Sequence, residues 1–272
     1  MNLLQKMARS NSPKLEHPIR AMAGYVLQNT GLSDRMKLQR SNYQVPFFSR
    51  SNVALTLWVD TEVIDPVEEF AVEFLKNGDT FIDVGANIGC VTAAGSISVG
   101  PTGRVYSIEA HPRTYSYLQK TVSLNNASNV ACLNVALGAT DGTVCFTDER
   151  RKDDNNRVSQ DGSSGLEVPC VPLYSLVRAN SIDRVALLKI DVEGFEMQVL
   201  RGAESILPQV DCMYIEVLDH TLRKFGSSAE EVMDFVRSHG FELYRFRNDD
   251  MNIVAVSPRA KSRRVFQELK PL

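Results

Sequence analysis

The chain is poor in the residues that staple a fold, gather a metal or cross a membrane. Its five cysteines (Cys90, Cys132, Cys145, Cys170, Cys212) are odd in number, scattered, and form no Cys-x-x-Cys pair or Cys/His cluster. That pattern implies neither a disulfide framework nor a zinc site and reads as reduced core thiols. No apolar run reaches 18 residues, and the opening MNLLQKMARS lacks the apolar core of a signal peptide. A soluble cytoplasmic chain without a membrane span is expected. A strong charge of one sign is also missing: the formal net charge is −3, which gives no reason to expect nucleic acid as partner. Residues 1–50 depart from this, with eight Lys/Arg against Glu16 and Asp34, and this basic arm reads as a solvated face.

What is present is enough apolar residue, 43% of 272, to build one large α/β domain with an accessory segment. The chain is organised around Thr80-Phe81-Ile82-Asp83-Val84-Gly85-Ala86-Asn87-Ile88-Gly89, with small and apolar residues behind it as far as Val99. A β-branched run meeting glycines and then a small-residue helix reads as strand, tight turn and helix. Two phosphate-binding signatures are lacking here: Gly-x-x-x-x-Gly-Lys and Gly-x-Gly-x-x-Gly. Asn87 replaces the second glycine of the latter, and Asp83 puts a carboxylate where a pyrophosphate would be repelled. The turn therefore suits a cationic ligand, such as the ammonium and sulfonium of S-adenosylmethionine. The plainer alternative is a structural turn that binds nothing.

Around this turn, helical spacing predicts helices at Ile19–Val26 and Pro66–Lys76, and Val53–Val59 reads as a strand. Arg104–Ile108 reads as a second strand, and Glu109 at its end lies 24 positions after Gly85, where an acidic side chain accepts ribose hydroxyls in doubly wound sheets. Val130–Val135 reads as a third strand with Val135 at the edge where an adenine packs, and Gly142–Thr147 and Glu167–Leu173 as strands flanking a polar loop over 148–165. Val185–Asp191 and Cys212–Val217 are buried strands that bring Asp191, Glu193 and Glu216 to the same sheet edge, with Asp219 and His220 just beyond. Ser228 and Glu231 have capping-box spacing. Phe241–Phe246 and Ile253–Val256 close the sheet as an antiparallel hairpin, and the basic tail from Ser257 reads as peripheral. The expected organisation is an extension over 1–60 (a substrate cap or oligomer contact), a domain over 61–256 and a tail over 257–272.

The motifs Phe81–Gly89, Glu109-Ala110-His111-Pro112 and Lys189-Ile190-Asp191-Val192-Glu193-Gly194-Phe195-Glu196, in this order, resemble the FkbM family of S-adenosylmethionine-dependent methyltransferases over residues 66–256. The resemblance implies a class I methyltransferase, Rossmann-like sheet of about seven mostly parallel strands with the last one antiparallel. It also implies O-methylation of hydroxyls on sugars, polyketides or other secondary metabolites. Carried to this chain, Asp83, Gly85, Asn87 and Gly89 would hold the methionine part of the cofactor and Glu109 its ribose. The family's Thr-Leu-Asp is Pro172-Leu173-Tyr174 here, so no role of that Asp transfers.

Methyl transfer from a sulfonium needs an aligned acceptor oxygen and one proton acceptor. Asp191 is favoured by position, with Glu193 and His220 as further candidates. In a metal-assisted variant, Asp191 and Glu216 would present oxygens to Mg²⁺ and a vicinal diol; Lys189 would instead neutralise one carboxylate. A nicotinamide dehydrogenase and an inactive binding module of the same fold are the readings from other classes. The partner expected is a small-molecule hydroxyl acceptor.

Overall fold

The computed structural model describes residues 17–148, 157–159, 165–247, 251–260 and 263–272. Most of the loop read at 148–165 and the hairpin turn at 248–250 lie outside these residues, as does the beginning of the basic arm. Among the described residues no helix is long and apolar enough to cross a membrane.

Helix α1 (Pro18–Thr30) starts on a proline and ends at Gly31, whose φ of 73° is the left-handed cap that glycine supplies without strain. The hairpin β1 (Lys37–Gln39) and β2 (Gln44–Pro46) follows. Helix α2 (Asn52–Val59) corrects the strand expected there. Ser51 Oγ accepts the Ala54 N–H, and α2 packs so tightly on α1 that a Cβ on Gly24 would stand 2.6 Å from Leu55 Cδ1. Capping and packing outweigh the β-branched bias of the run. Helix α3 (Pro66–Phe74) is capped by the Asp65 side chain and turns Phe70 and Phe74 into the core.

The organising strand β3 (Thr80–Val84) leads through α4 (Cys90–Val99) to β4 (Arg104–Ile108), then through α5 (Pro112–Leu124) to β5 (Val130–Leu133). A small separate sheet takes the order β6, β8, β7 from β6 (Ala136–Leu137), β7 (Gly142–Phe146) and β8 (Leu166–Val171). The strand expected as far as Leu173 ends at Val171, because Leu173 already opens helix α6 (Leu173–Ala179). The chain then returns through β9 (Val185–Ile190), α7 (Glu196–Ala203), β10 (Val210–Glu216), the short α8 (Asp219–Leu222) and α9 (Ala229–Ser238), where Ser228 Oγ accepts the Glu231 N–H as its spacing predicts. Strands β11 (Glu242–Phe246) and β12 (Asn252–Val256) form the expected hairpin.

The tail is not peripheral. Its strand β13 (Leu269–Pro271) pairs antiparallel with β11, and Val265 and Leu269 are buried. The apolar residues among its basic ones cover a sheet edge that would otherwise be open. The main sheet thus has eight strands in the order β13-β11-β12-β10-β9-β3-β4-β5, parallel from β10 to β5. Side chains alternate between its faces: Ile82, Leu188 and Met213 join one core, Phe81, Leu187 and Tyr214 the other. A third core joins Phe47, Phe48 and Leu55 of the N-terminal segment to Ile88, Ala93 and Tyr117, with the Phe48 and Tyr117 rings stacked at 4.1 Å. The result is a doubly wound, Rossmann-like α/β fold. The chain leaves β3 toward β4 and returns on its other side at β9, which puts the topological switch point between β3 and β9.

Candidate active site

A cleft of about 480 Å³ opens at the switch point. Gly85, Ala86, Asn87, Glu109 and Val135 line it on one side and Lys189, Asp191, Glu193 and Glu216 on the other. The N-terminal segment closes it with residues between Val53 and Glu68.

Gly85 has φ +76°, and a Cβ there would lie 1.8 Å from the Asp191 carbonyl oxygen. Only glycine permits this approach, which lets the Asp191 N–H donate to Val84 O at 3.2 Å and fixes Asp191 beside the turn. Asn87 takes φ +49°. Gly89, also left-handed, starts α4 but does not face the cleft; a Cβ there would meet Leu118 Cδ1 at 2.8 Å.

Asp83 is also placed differently from the expected contact with a cofactor. It is fully buried and absent from the cleft wall. Its Oδ2 accepts the Thr92 hydroxyl at 2.6 Å, and its Oδ1 lies 3.4 Å from Lys189 Nζ. Strand alternation turns it beneath α4 and not off the end of β3. Lys189 is the hub that the sequence showed only as a salt-bridge candidate. Its buried ammonium donates to Gly85 O at 2.6 Å and stands 3.5 Å from Asp191 Oδ2. Burial opposes that charge, yet Asp191 and Asp83 outweigh it and hold the lysine pKa above its ordinary value.

Glu109 reaches from the end of β4 into the turn. One carboxylate oxygen accepts the Asn87 N–H and the other the His111 N–H, both at 2.9 Å. Burial pushes its pKa up to about 7, against the pull of these two amides. Asn134 steadies the same corner by donating to the carbonyls of Glu109 and Ala110.

At the opposite wall, Glu196 opens α7 as a first-turn glutamate, but with a role the helix pattern hides. Its buried Oε1 accepts the N–H groups of Val192 and Gly194, both at 3.0 Å, and so holds the turn in which Glu193 (φ 57°) and Gly194 (φ 107°) are left-handed. A carboxylate two residues after Glu-Gly is the signal that could have shown it. Burial, with the negative charges of Asp191, Glu193 and Glu196, pushes Glu216 up to about 9. His220 sits exposed on α8 and does not line the cleft, so the structure does not bring it to the other candidates.

Asp191 and Glu216 end neighbouring strands, as the metal-assisted variant requires. The donor set does not fit a hard cation. Asp191 is ion-paired to Lys189, and among the described residues no group of three His, Cys, Asp or Glu side chains is placed to hold an ion.

The fold and the cleft define a Rossmann-like α/β protein with a glycine turn and a strand-end glutamate on one side of its switch point and an acidic edge on the other. The chain belongs to the methyltransferase FkbM domain family, which matches residues 83–243, and it is a methyltransferase. It is 24% identical over 231 residues to the "Hexuronic acid methyltransferase AglP" of Haloferax volcanii, covering 82% of this chain and 94% of that protein. It is 30% identical over 149 residues to "Methyltransferase 1" of Beauveria bassiana, covering 47% of this chain and 59% of that protein. A solved SAM-dependent methyltransferase from Aquifex aeolicus superposes on 72% of this chain and 89% of its own with a TM-score of 0.43 and 16% identity.

Proposed function

We propose that the protein is an S-adenosylmethionine-dependent O-methyltransferase acting on a hydroxyl of a sugar, glycoside or other secondary metabolite. The observation that carries this reading is that Glu109 on the nucleoside side and Asp191, Glu193 and Glu216 on the acidic side line one cleft. The residues fit the cofactor. Each Glu109 oxygen accepts one amide and keeps a lone pair for a ribose hydroxyl. Val135 offers an apolar surface to an adenine, and the acidic lining of the cleft suits a ligand bearing an ammonium and a sulfonium. When bound, that cofactor supplies an activated methyl group.

The rest of the work falls to this chain. Asp191, held by Lys189 and by the Gly85 contact, is positioned to take the acceptor's proton, with Glu216 beside it. Asp83, Thr92 and Lys189 are positioning residues that fix the turn from below. The name of the Haloferax relative supports a sugar-type hydroxyl as the acceptor. The test is a calorimetric titration with S-adenosylhomocysteine, with NAD as control and a repeat in chelator. Micromolar binding of the first ligand alone, about −8 kcal/mol, supports the reading. Binding of NAD, or of neither ligand, overturns it.

A further inference from the structure

Helix α1 turns its small and polar side inward. Ala21 and Gly24 are buried against the neighbouring segment, and a Cβ on Gly24 would meet Leu55 and Trp58 of α2 at 2.6 and 2.7 Å. One turn further on, Gln28 Nε2 donates to the carbonyls of Phe48 and Ser51 at 2.8 and 2.7 Å. The large apolar residues whose spacing predicts this helix face the other way. Ile19, Met22 and Val26 are 80%, 65% and 57% exposed, and with Ala23 they fall at i, i+3, i+7 and i+4, which is one side of a helix.

Single exposed apolar side chains are ordinary, but an unbroken stripe of them marks a surface that meets something apolar. The charges around it select the occupant. Arg20 projects from α1 itself, its guanidinium 5.2 Å over the Trp58 ring, and Arg35 and Lys37 are exposed just after the helix. Between residues 17 and 50 the only acid is Asp34, and its Oδ1 already accepts the Ser49 N–H. A second copy docked here about a two-fold axis would bring two such basic sets together. A helical partner would need a groove, whereas the side of a helix is convex. A flat anionic lipid surface meets both conditions, since it accepts apolar side chains at its boundary and attracts the cations beside them.

We infer that the outer face of α1 docks on anionic membranes, with Ile19, Met22 and Val26 entering the headgroup boundary and Arg20, Arg35 and Lys37 meeting the lipid phosphates. The contact is peripheral and needs no spanning helix. It also places the cleft near the lipid, because α2, on which α1 packs, lines that cleft with Val53, Thr56 and Leu57. Two helix diameters, about 20 Å, separate the docked face from it.

The test needs neither cofactor nor acceptor: the full chain is cosedimented with vesicles of phosphatidylcholine alone and of phosphatidylcholine with about 30% phosphatidylglycerol. Binding should be at least about tenfold tighter to the anionic vesicles and should weaken as salt is raised. Met22→Glu should weaken it about tenfold or more, and Ile19→Glu, at a still more exposed position, should do the same. Val72→Glu, on α3 and 42% exposed, should leave it unchanged. Thermal melts of the three variants should match the wild type, since none of these side chains belongs to a core. No binding to the anionic vesicles overturns the inference, as does equal binding to the neutral ones. A loss with Val72→Glu as large as that with Met22→Glu overturns the assignment to α1. A concentration-dependent dimer in sedimentation velocity that Met22→Glu dissociates gives the stripe to a second copy and overturns it as well.

Discussion

Replacing Glu109 by Gln separates ligand binding from folding, because two opposing terms of similar size act on this one side chain. Glutamine keeps the shape, but its single amide oxygen satisfies only one of the two N–H donors that the carboxylate now accepts, Asn87 and His111. Its NH₂ faces the other donor. An unsatisfied buried donor costs about 1–3 kcal/mol. Against this stands the cost of burying the charge. A carboxyl held at about 7 where its ordinary value is 4.5 destabilises the folded state by roughly 3 kcal/mol once the pH exceeds 7. The sign follows from proton binding: below 4.5 the group is protonated in both states and costs nothing, and the loss grows as pH rises toward 7. At pH 8 the two terms nearly cancel, so unfolding by urea should shift by no more than about 2 kcal/mol. The ligand sees no such cancellation. Losing a charged acceptor for ribose hydroxyls should weaken S-adenosylhomocysteine binding by about 1.5–3 kcal/mol, roughly 10- to 100-fold. Wild-type affinity should also fall as pH drops below 7 and Glu109 takes up a proton. Calorimetry at pH 8 and pH 6 reads both effects; affinity of the variant within threefold of wild type at pH 8 would refute the assignment of Glu109.

Other outcomes follow from neighbouring groups. Glu216→Gln should stabilise the ligand-free protein between pH 7 and 9, by up to a few kcal/mol, because the raised pKa of Glu216 marks stability lost as pH rises above the ordinary carboxylate range; thermal melts across pH 5–9 that superimpose for the two proteins would contradict this. Asp191→Asn should leave S-adenosylhomocysteine affinity within about threefold and cut methyl transfer by about 10²-fold or more, and a variant with full turnover would remove Asp191 as proton acceptor. Gly85→Ala should destabilise by about 3 kcal/mol or more, since both the left-handed backbone and the 1.8 Å approach to Asp191 O are forbidden to a Cβ; an unchanged urea midpoint would refute it. Chelation should leave turnover unchanged, and loss of rate restored by Mg²⁺ would reinstate a metal.

The parallel sheet was legible because buried strands are continuous apolar runs and their ends carry acids and glycines, as in Phe81–Gly85 and Leu187–Asp191. The place of Glu109 at the cleft was legible from spacing alone. The N-terminal segment was not. Val53–Val59 has strand-like composition, and its helix depends on the Ser51 cap and on Gly24 contacts that only the folded chain supplies. Asp83 was placed at the correct strand end but on the wrong partner, because sequence gives the alternation of a strand without showing which face α4 covers. Lys189 was hidden for a similar reason: a lysine within Val-Ala-Leu-Leu-Lys-Ile reads as a flaw in an apolar run until Asp83 and Asp191 are brought around it. The tail misled by composition, since its Val265 and Leu269 are sparse among charges.

The tail's first described residue after Ala260 bears on the order in which the chain becomes secure. Arg263 grips the Asp79 carboxylate with both guanidinium nitrogens at 2.7 and 3.1 Å, donates to Phe74 O, and lies over the Phe74 ring. Asp79 immediately precedes the organising strand. During synthesis that strand is made some 180 residues before the arginine that clamps its start, so β3 and the strands β4 and β9 that pair with it are all made before this latch can close. A ribosome pausing between β12 and Arg263 would therefore hold a nascent chain in which the start of β3 still lacks the Arg263 clamp on Asp79.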